Sequence, residues 1–433
     1  MSDIETVLAR VAARRPQLID LSLDRVYAVL ARLGDPHKKL PPVFHVAGTN
    51  GKGSTVAFLR AILEAAGKSV HVYTSPHLVR FNERIILGGK EISDEKLISA
   101  LERCDEAAGD DKLTYFETTT CAAFLAFSEA PADYLILEVG LGGRLDATNV
   151  IDAPLATLVS PVALDHEQFL GKTIALVAAE KAGIFRPRAP AVIGVQTPEA
   201  MAVLEARARE VGAAPFAFGQ QWSFHSEHGR LIYQDDDGLC DLEAPRLAGA
   251  HQLENAGLAV AAIKAAGLDL ADSVISKGLV AAKWPARMQR LTKGPLVDLA
   301  RDLLGAEPEI WLDGGHNPHA GRAVARAMAD IEGRSPKPLV MISGMQANKD
   351  AAGYFVAFAG LARSLYAVAA RHDGVASPEE VEAAALASGL NARACSSLEE
   401  AMRLALTGKK DEPPRILLSG SLYLAGEILR DHA

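Results

Sequence analysis

The run from Val43 to Ser54, VFHVAGTNGKGS, holds two side chains able to grip a triphosphate. Lys52 can lie along phosphate oxygens, and the Ser54 hydroxyl can ligate Mg²⁺. Asn50, Gly51 and Gly53 complete the turn. Backbone N–H groups at a helix start converge on one point there, and glycine lets the chain approach closely. The match to the general P-loop pattern is imperfect: Val46 stands at its first glycine, and Gly53 separates the lysine from the hydroxyl. A bare glycine-rich turn is as readily structural. Strand, lysine, hydroxyl and helix in this order point to nucleotide binding, with ATP as the expected ligand.

Other reactive side chains sit where a parallel sheet would gather them. Ligands of open α/β sheets bind outside the carboxyl ends of the strands. Ser75 follows an apolar segment, Glu138 ends the run Tyr134–Val139, and Asp165-His166 follows Ala156–Ser160. Each has a plainer reading. Glu138 could pair with Arg144, a lone histidine is more often structural, and Lys181 at a helix end could simply complement the macrodipole. Grouped beside the P-loop, Ser75, Glu138 and His166 read instead as a magnesium shell. His166 is its weakest member, since Mg²⁺ prefers oxygen. His316, after Trp311-Leu-Asp313, and Asn255, on an expected helix, complete the polar candidates.

The elements needed to position them are legible as alternating β and α segments. Strands are expected at 43–47, 70–73, 134–139, 156–160 and 191–195. Residues 222–243 alternate differently, with a turn at Asp235–Gly238, which predicts a small antiparallel addition. Trp284–Arg287 and Lys293–Pro295 read as a linker. Strands at 310–313, 339–343, 364–368 and 416–419 then predict a second α/β domain, opened by a short amphipathic helix over 296–304. The fold class is therefore α/β: a large P-loop domain over 1–290, and a smaller Rossmann-like domain over 296–433.

Composition limits the rest. At 433 residues two domains are the natural expectation, and 49% hydrophobic with 23% charged residues describes a globular protein. A net charge of −9 argues against a surface that coats nucleic acid. Cys104, Cys121, Cys240 and Cys395 are scattered without a C-x-x-C pair, which favours reduced thiols. No basic-then-apolar leader opens the chain, and no apolar run approaches the roughly 18–20 residues of a spanning helix. The expectation is a cytoplasmic monomer with neither a nucleic-acid nor a membrane partner.

Taken together, Gly48–Ser54, Ser75–Leu78, Phe116–Thr120, Leu137–Asn149 (LEVGLGGRLDATN) and Leu164–His166 resemble the folylpolyglutamate synthase/dihydrofolate synthase family, the folate branch of the Mur ligases. Glu180–Ile184, Gly249–Gln252, Trp284–Arg287, Asp313–Pro318 and Gly420–Tyr423 extend the resemblance over nearly the whole chain. The chain departs from the pattern at Ala286, where glycine is usual, and at Gly315 and Asn348. The stretch 296–308 looks inserted.

The resemblance implies roles residue by residue. Asn50, Gly51, Lys52, Gly53 and Ser54 would hold ATP phosphates, and Asn255, Arg287, Asp313 and His316 further parts of ATP. Ser54, Ser75, Glu138, His166 and Lys181 would serve two Mg²⁺ sites, Lys181 after carbamylation; Lys52, Lys181 and His166 are the catalytic candidates. Asp20, Leu21, Ser22, Thr114, Tyr115, Phe116, Glu117, Leu145, Asp146 and Ala147 would line the pterin site. The implied reaction adds L-glutamate to dihydropteroate and to reduced folates through an acyl phosphate, with ATP as co-substrate. Folylpolyglutamate synthesis alone, a cell-wall Mur ligase and a nucleotide switch without chemistry are the alternatives.

Overall fold

Apolar β-branched runs with no polar face are stable as strands covered on both sides, and the largest sheet is built from them. A computed structural model of the chain describes residues 4–13, 22–109, 111, 113–409 and 411–431. The sheet contains β1 (Val43–Ala47), β2 (Val70–Tyr73), β3 (Ile85–Leu87), β4 (Lys90–Glu91), β5 (Tyr134–Glu138), β6 (Ala156–Val159), β7 (Pro190–Ile193) and β8 (Ala214–Ala217). Their spatial order is β4-β3-β2-β5-β1-β6-β7-β8. From β2 to β8 in that order all neighbours are parallel; β3 and β4 add antiparallel at one edge. β1 lies between β5 and β6 with every residue buried. Register sets Val46 beside Glu138 and Ala47 beside Val159. The P-loop and the Glu138 carboxylate therefore leave the sheet at one level.

The helix Lys52–Ala65 follows the loop and buries Phe58, Leu59, Ile62 and Leu63. Each such side chain contributes about 1.5–3 kcal/mol on leaving water. The helix Asp272–Ala281 packs closely on it through Gly278, where a Cβ would strike the Ile62 backbone. The predicted antiparallel addition is present as β9 (Trp222–Glu227), β10 (Arg230–Asp235) and β11 (Gly238–Glu243). Its aromatic face stacks Trp222 on Tyr233 at 6.0 Å. Gly257, on the helix Ala250–Ala265, faces Trp222 and Phe224.

The second unit has its own sheet: β12 (Gln289–Leu291), β13 (Glu309–Leu312), β14 (Leu339–Ser343), β15 (Ala362–Ala367), β16 (Ala392–Ala394) and β17 (Arg415–Ser419). The order is β12-β13-β17-β14-β15-β16, parallel except for β12. The expected amphipathic helix is there as Pro295–Leu304.

The boundary differs from the expected 290/296. The first unit comprises 1–246 and 253–283, and the second 247–252 and 284–433. The boundary falls at the start of Trp284–Arg287, the segment read as a linker. That segment leads into β12, which pairs with β13. Among the described residues no helix is long and apolar enough to cross a membrane.

Candidate active site

The phosphate loop is shaped by two glycines that no other residue could replace. Gly48 has φ +149° and lies against the Ser160 hydroxyl; Gly51 has φ +86° and lies against the Asn255 amide. A side chain at either would be strained and would collide. Asn255 is therefore brought to the loop. Ser160 Oγ donates to Asn50 O at 2.8 Å and holds the loop to the end of β6.

Two lysines converge on one carbonyl. Lys52 Nζ donates to Gly48 O at 3.2 Å, and Lys181 Nζ donates to the same oxygen at 2.9 Å. Lys52 Nζ also lies 4.0 Å from Glu138 Oε1. Glu138 Oε2 accepts from Ser75 N at 3.3 Å, which joins the loop after β2 to the group. Lys181 is buried and has no carboxylate within 4 Å among the described residues. Burial, reinforced by the Lys52 charge, pulls its amine down to about 7. Two of the three plainer readings fail: Arg144 pairs with Glu180 at 2.8 Å, not with Glu138, and Lys181 is no solvent-facing helix-end charge.

Oxygen donors suited to a divalent cation are present. Ser54 Oγ is buried and has no hydrogen-bond partner among the described residues, and neither has Thr55 Oγ1. A buried hydroxyl left so costs about 1–3 kcal/mol, and a cation or phosphate at the helix start would relieve it. Thr55 was missed by motif reading, which stopped at Ser54. No cluster of three or more His, Cys, Asp or Glu competent for a metal occurs among the described residues. Hydroxyl, carboxylate and water oxygens are nonetheless the set Mg²⁺ prefers, so the residues fit. His166 adopts φ +51° and its imidazole is 39% exposed. Thr49 Oγ1 accepts from Ala163 N and donates to Ala163 O, each at 3.0 Å, tying the segment before His166 to the P-loop.

The described pterin candidates all belong to the first unit. Thr114 caps the helix Tyr115–Ser128, and Glu117 Oε2 accepts from Thr114 N at 2.6 Å. Glu117 Oε1 pairs with Arg25 at 3.0 Å. The Phe116 ring occupies the space a Cβ at Gly140 would need. Asp146 is buried, accepting from Leu141 N at 2.9 Å and from Thr148 Oγ1 at 2.5 Å. Burial raises its carboxyl, and these donors oppose the rise. Leu145 and Ala147 flank it in the same loop. The His45 Nε2 meets Thr148 Oγ1 at 2.9 Å and extends the chain inward. Asp20 and Leu21 lie outside the described residues. Ser22 Oγ donates to Asp24 at 3.1 Å.

In the second unit Asp313 is an organiser. Its Oδ2 accepts from Met288 N at 2.9 Å and its Oδ1 from Gly315 N at 2.7 Å. Arg287 Nη1 donates to Ala286 O at 2.9 Å, and His316 Nδ1 meets Gly314 O at 3.0 Å. Ala286 has φ +54°, which explains why glycine is the easier residue there. His251 has a buried Nδ1 without a hydrogen-bond partner among the described residues, and burial lowers the pKa of its imidazole, with the Asp313 charge opposing and the Arg287 charge adding to the shift.

The chain is similar to known proteins over most of its length. The Mur ligase middle domain model matches residues 46–263, and the Mur ligase glutamate ligase domain model matches 302–422. The dihydrofolate synthase/folylpolyglutamate synthase of Escherichia coli K12 is 36% identical over 412 residues, spanning 95% of this chain and 91% of that protein. The solved E. coli FolC in complex with DHPP and ADP superposes with a TM-score of 0.87 at 33% identity, covering 99% and 97% of the two chains. A bifunctional folylpolyglutamate synthase/dihydrofolate synthase solved with Mn, AMPPNP and L-glutamate gives 0.85 at 32% identity, covering 99% and 98%.

Proposed function

Because this chain belongs to the folylpolyglutamate synthase/dihydrofolate synthase family of Mur ligases, ATP-dependent enzymes that form carbon–nitrogen bonds, we propose that it adds L-glutamate to dihydropteroate and to reduced folates. The observation that carries the reading is the convergence of Lys52 and Lys181 on Gly48 O beside the buried Glu138.

A carboxylate is a poor electrophile, so the acceptor first attacks the γ-phosphorus of ATP; the bond from that phosphorus to the β,γ-bridging oxygen breaks, ADP leaves, and the acceptor becomes an acyl phosphate. Two like charges about 4 Å apart repel by about 4 kcal/mol at an effective dielectric of 20. Lys52 and the N–H groups of Asn50–Ser54 offset that repulsion and hold the groups in line. The glutamate amine then attacks the acyl carbon, phosphate leaves, and an amide forms. Mg²⁺, when bound at either of two sites, supplies further stabilisation of charge on the phosphoryl oxygens. Ser54, Ser75, Glu138 and His166 would hold it, with Lys181 contributing as a carbamate. Arg287, Asp313 and His316 are the ATP contacts assigned to the second unit, and Asn255 to the first.

The two acceptors differ in what they offer. Dihydropteroate lacks a glutamate tail, so its affinity must come from the pterin ring, to which Asp20 and Ser22 supply polar partners. Asp20→Ala with Ser22→Ala should then damage dihydropteroate use more than tetrahydrofolate use. The deciding measurement is ADP release by purified protein. It should need an acceptor and glutamate together, and should proceed with either acceptor. Release with tetrahydrofolate alone would narrow the function to polyglutamate extension. The four free, buried cysteines support a reducing, cytoplasmic setting.

A further inference from the structure

Arg84 is a buried cation with no counter-charge. The residue is 9% exposed. Its Nε donates to His77 Nδ1 at 2.9 Å, and its guanidinium carbon stands 4.9 Å from the Phe81 ring centroid. Among the described residues no carboxylate lies within 4 Å of it, and its two Nη groups make no hydrogen bond. The acids nearest in sequence are engaged elsewhere. Glu83 accepts from the backbone N–H groups of Leu78, Val79 and Arg80 at 2.8, 2.9 and 2.7 Å. Asp94 accepts from Arg80 and Asn82. A ring nitrogen that accepts from Arg84 belongs to an uncharged imidazole, so His77 does not neutralise the charge.

The surroundings say which anion would. Thr74 N donates to Arg84 O at 3.0 Å, fixing Arg84 at the end of β2 just before Ser75, whose N–H binds Glu138. On the other side Phe81 meets Tyr115 edge-on at 6.1 Å, and Tyr73 meets Phe116 at 6.2 Å. Arg84 is thus linked through Phe81 to Tyr115, a residue assigned to the pterin, and through its backbone to Thr74, which leads into Ser75 at the carboxyl end of β2. A pteroate-type acceptor has the same layout, an aromatic system with its carboxylate at the far end. An arginine fork matches a carboxylate with two parallel N–H bonds.

We propose that Arg84 is a substrate-binding residue that takes a carboxylate of the acceptor. This rests on the ligase reading above. Two carboxylates share the chemistry: the reacting one, and, in folates only, the α-carboxylate of the terminal glutamyl residue.

Arg84→Met keeps the stem over Phe81 and removes the charge. The KM for acceptor should rise roughly ten- to hundredfold, the loss of a charge-assisted pair, with the KM for ATP unchanged. Arg84→Lys should fall between. A rise for both dihydropteroate and tetrahydrofolate identifies the reacting carboxylate; a rise for tetrahydrofolate alone identifies the α-carboxylate. Thermal stability should stay level or increase, because an uncompensated buried charge is removed. A lower Tm with ATP and acceptor affinity falling together would make Arg84 a structural residue instead. A calorimetric titration with pteroate and its decarboxylated analogue, without ATP, needs no turnover. The parent protein should prefer the acid and Arg84→Met should not. If the parent prefers the acid yet releases no ADP, the ligase reading fails and Arg84 keeps its role. If it binds both compounds alike, the assignment of Arg84 is overturned.

Discussion

Lys52 and Lys181 donate to the same Gly48 oxygen, yet among the described residues only Lys52 has a carboxylate, Glu138, at 4.0 Å. Lys52 is the lysine placed for phosphate. Replacing it with alanine should cut ADP release by roughly a hundred- to thousandfold, on the scale of losing one oxyanion donor, about 3–4 kcal/mol. The fold should lose only about 1 kcal/mol, the worth of its loop hydrogen bond. Steady-state turnover with a denaturant melt checks both, and near-normal turnover in a folded variant would remove Lys52 from the phosphate. For Lys181 the neutral amine is the form that adds CO₂. With its pKa brought down to about 7, the neutral fraction grows as pH rises through that value and disappears below it. Carbon-13 NMR with labelled bicarbonate should therefore detect a carbamate that increases between pH 6 and 8 (about one unit either side). A free amine in active enzyme at saturating bicarbonate would refute this.

At the scale of elements, strands β13 and β17 are joined by more than their ladder. Glu309 and Arg415 are register partners, and Arg415 Nε donates to Glu309 Oε1 at 2.7 Å. Lys337 reaches Glu309 Oε2 at 2.9 Å, and Arg415 Nη1 reaches Glu332 at 3.0 Å. Burial alone would raise the Glu309 carboxyl, but donors from Arg415, Lys337 and Trp311 outweigh it and hold it down to about 2. A depressed carboxyl stabilises the fold above its ordinary pKa of about 4.5, and that contribution fades as pH falls toward 2. Glu309→Gln leaves the buried Arg415 with Glu332 as its one remaining carboxylate among the described residues and should cost up to about 3–5 kcal/mol at pH 7. Urea unfolding of both proteins at pH 7 and pH 3 tests this: the gap should narrow in acid. A gap independent of pH would show that packing, not charge, holds these strands.

For the whole molecule the expectation is coupling without collapse. Chelating divalent metal with EDTA should abolish ADP release while leaving the melting temperature nearly unchanged, since each unit has its own sheet and core. Adding back Mg²⁺ should restore turnover. Glu138→Gln should raise the Mg²⁺ concentration needed for half-maximal turnover far more than the KM for ATP. An unchanged metal requirement would return Glu138 to a purely structural role.

Contiguous chemistry was legible in the residues alone. A phosphate loop needs strand, glycines, lysine and hydroxyl in one short segment, so Gly48–Ser54 could be read directly, as could the buried strands and the Asp235–Gly238 turn. What needed the tertiary structure was every property set by a distant partner. Arg144 could serve Glu138 or Glu180 equally well on paper, and only the packing of the helix Ile174–Ala182 against the loop sends it to Glu180. The segment Trp284–Arg287 reads as a linker because proline and small residues mark turns, and the boundary falls at its start, but the membership of 247–252 in the second unit has no local sign. The isolation of Arg84 and the burial of Lys181 have no local signature at all. A charge is compensated or stranded by residues that may be a hundred positions away in sequence, and only folding decides which of them arrive.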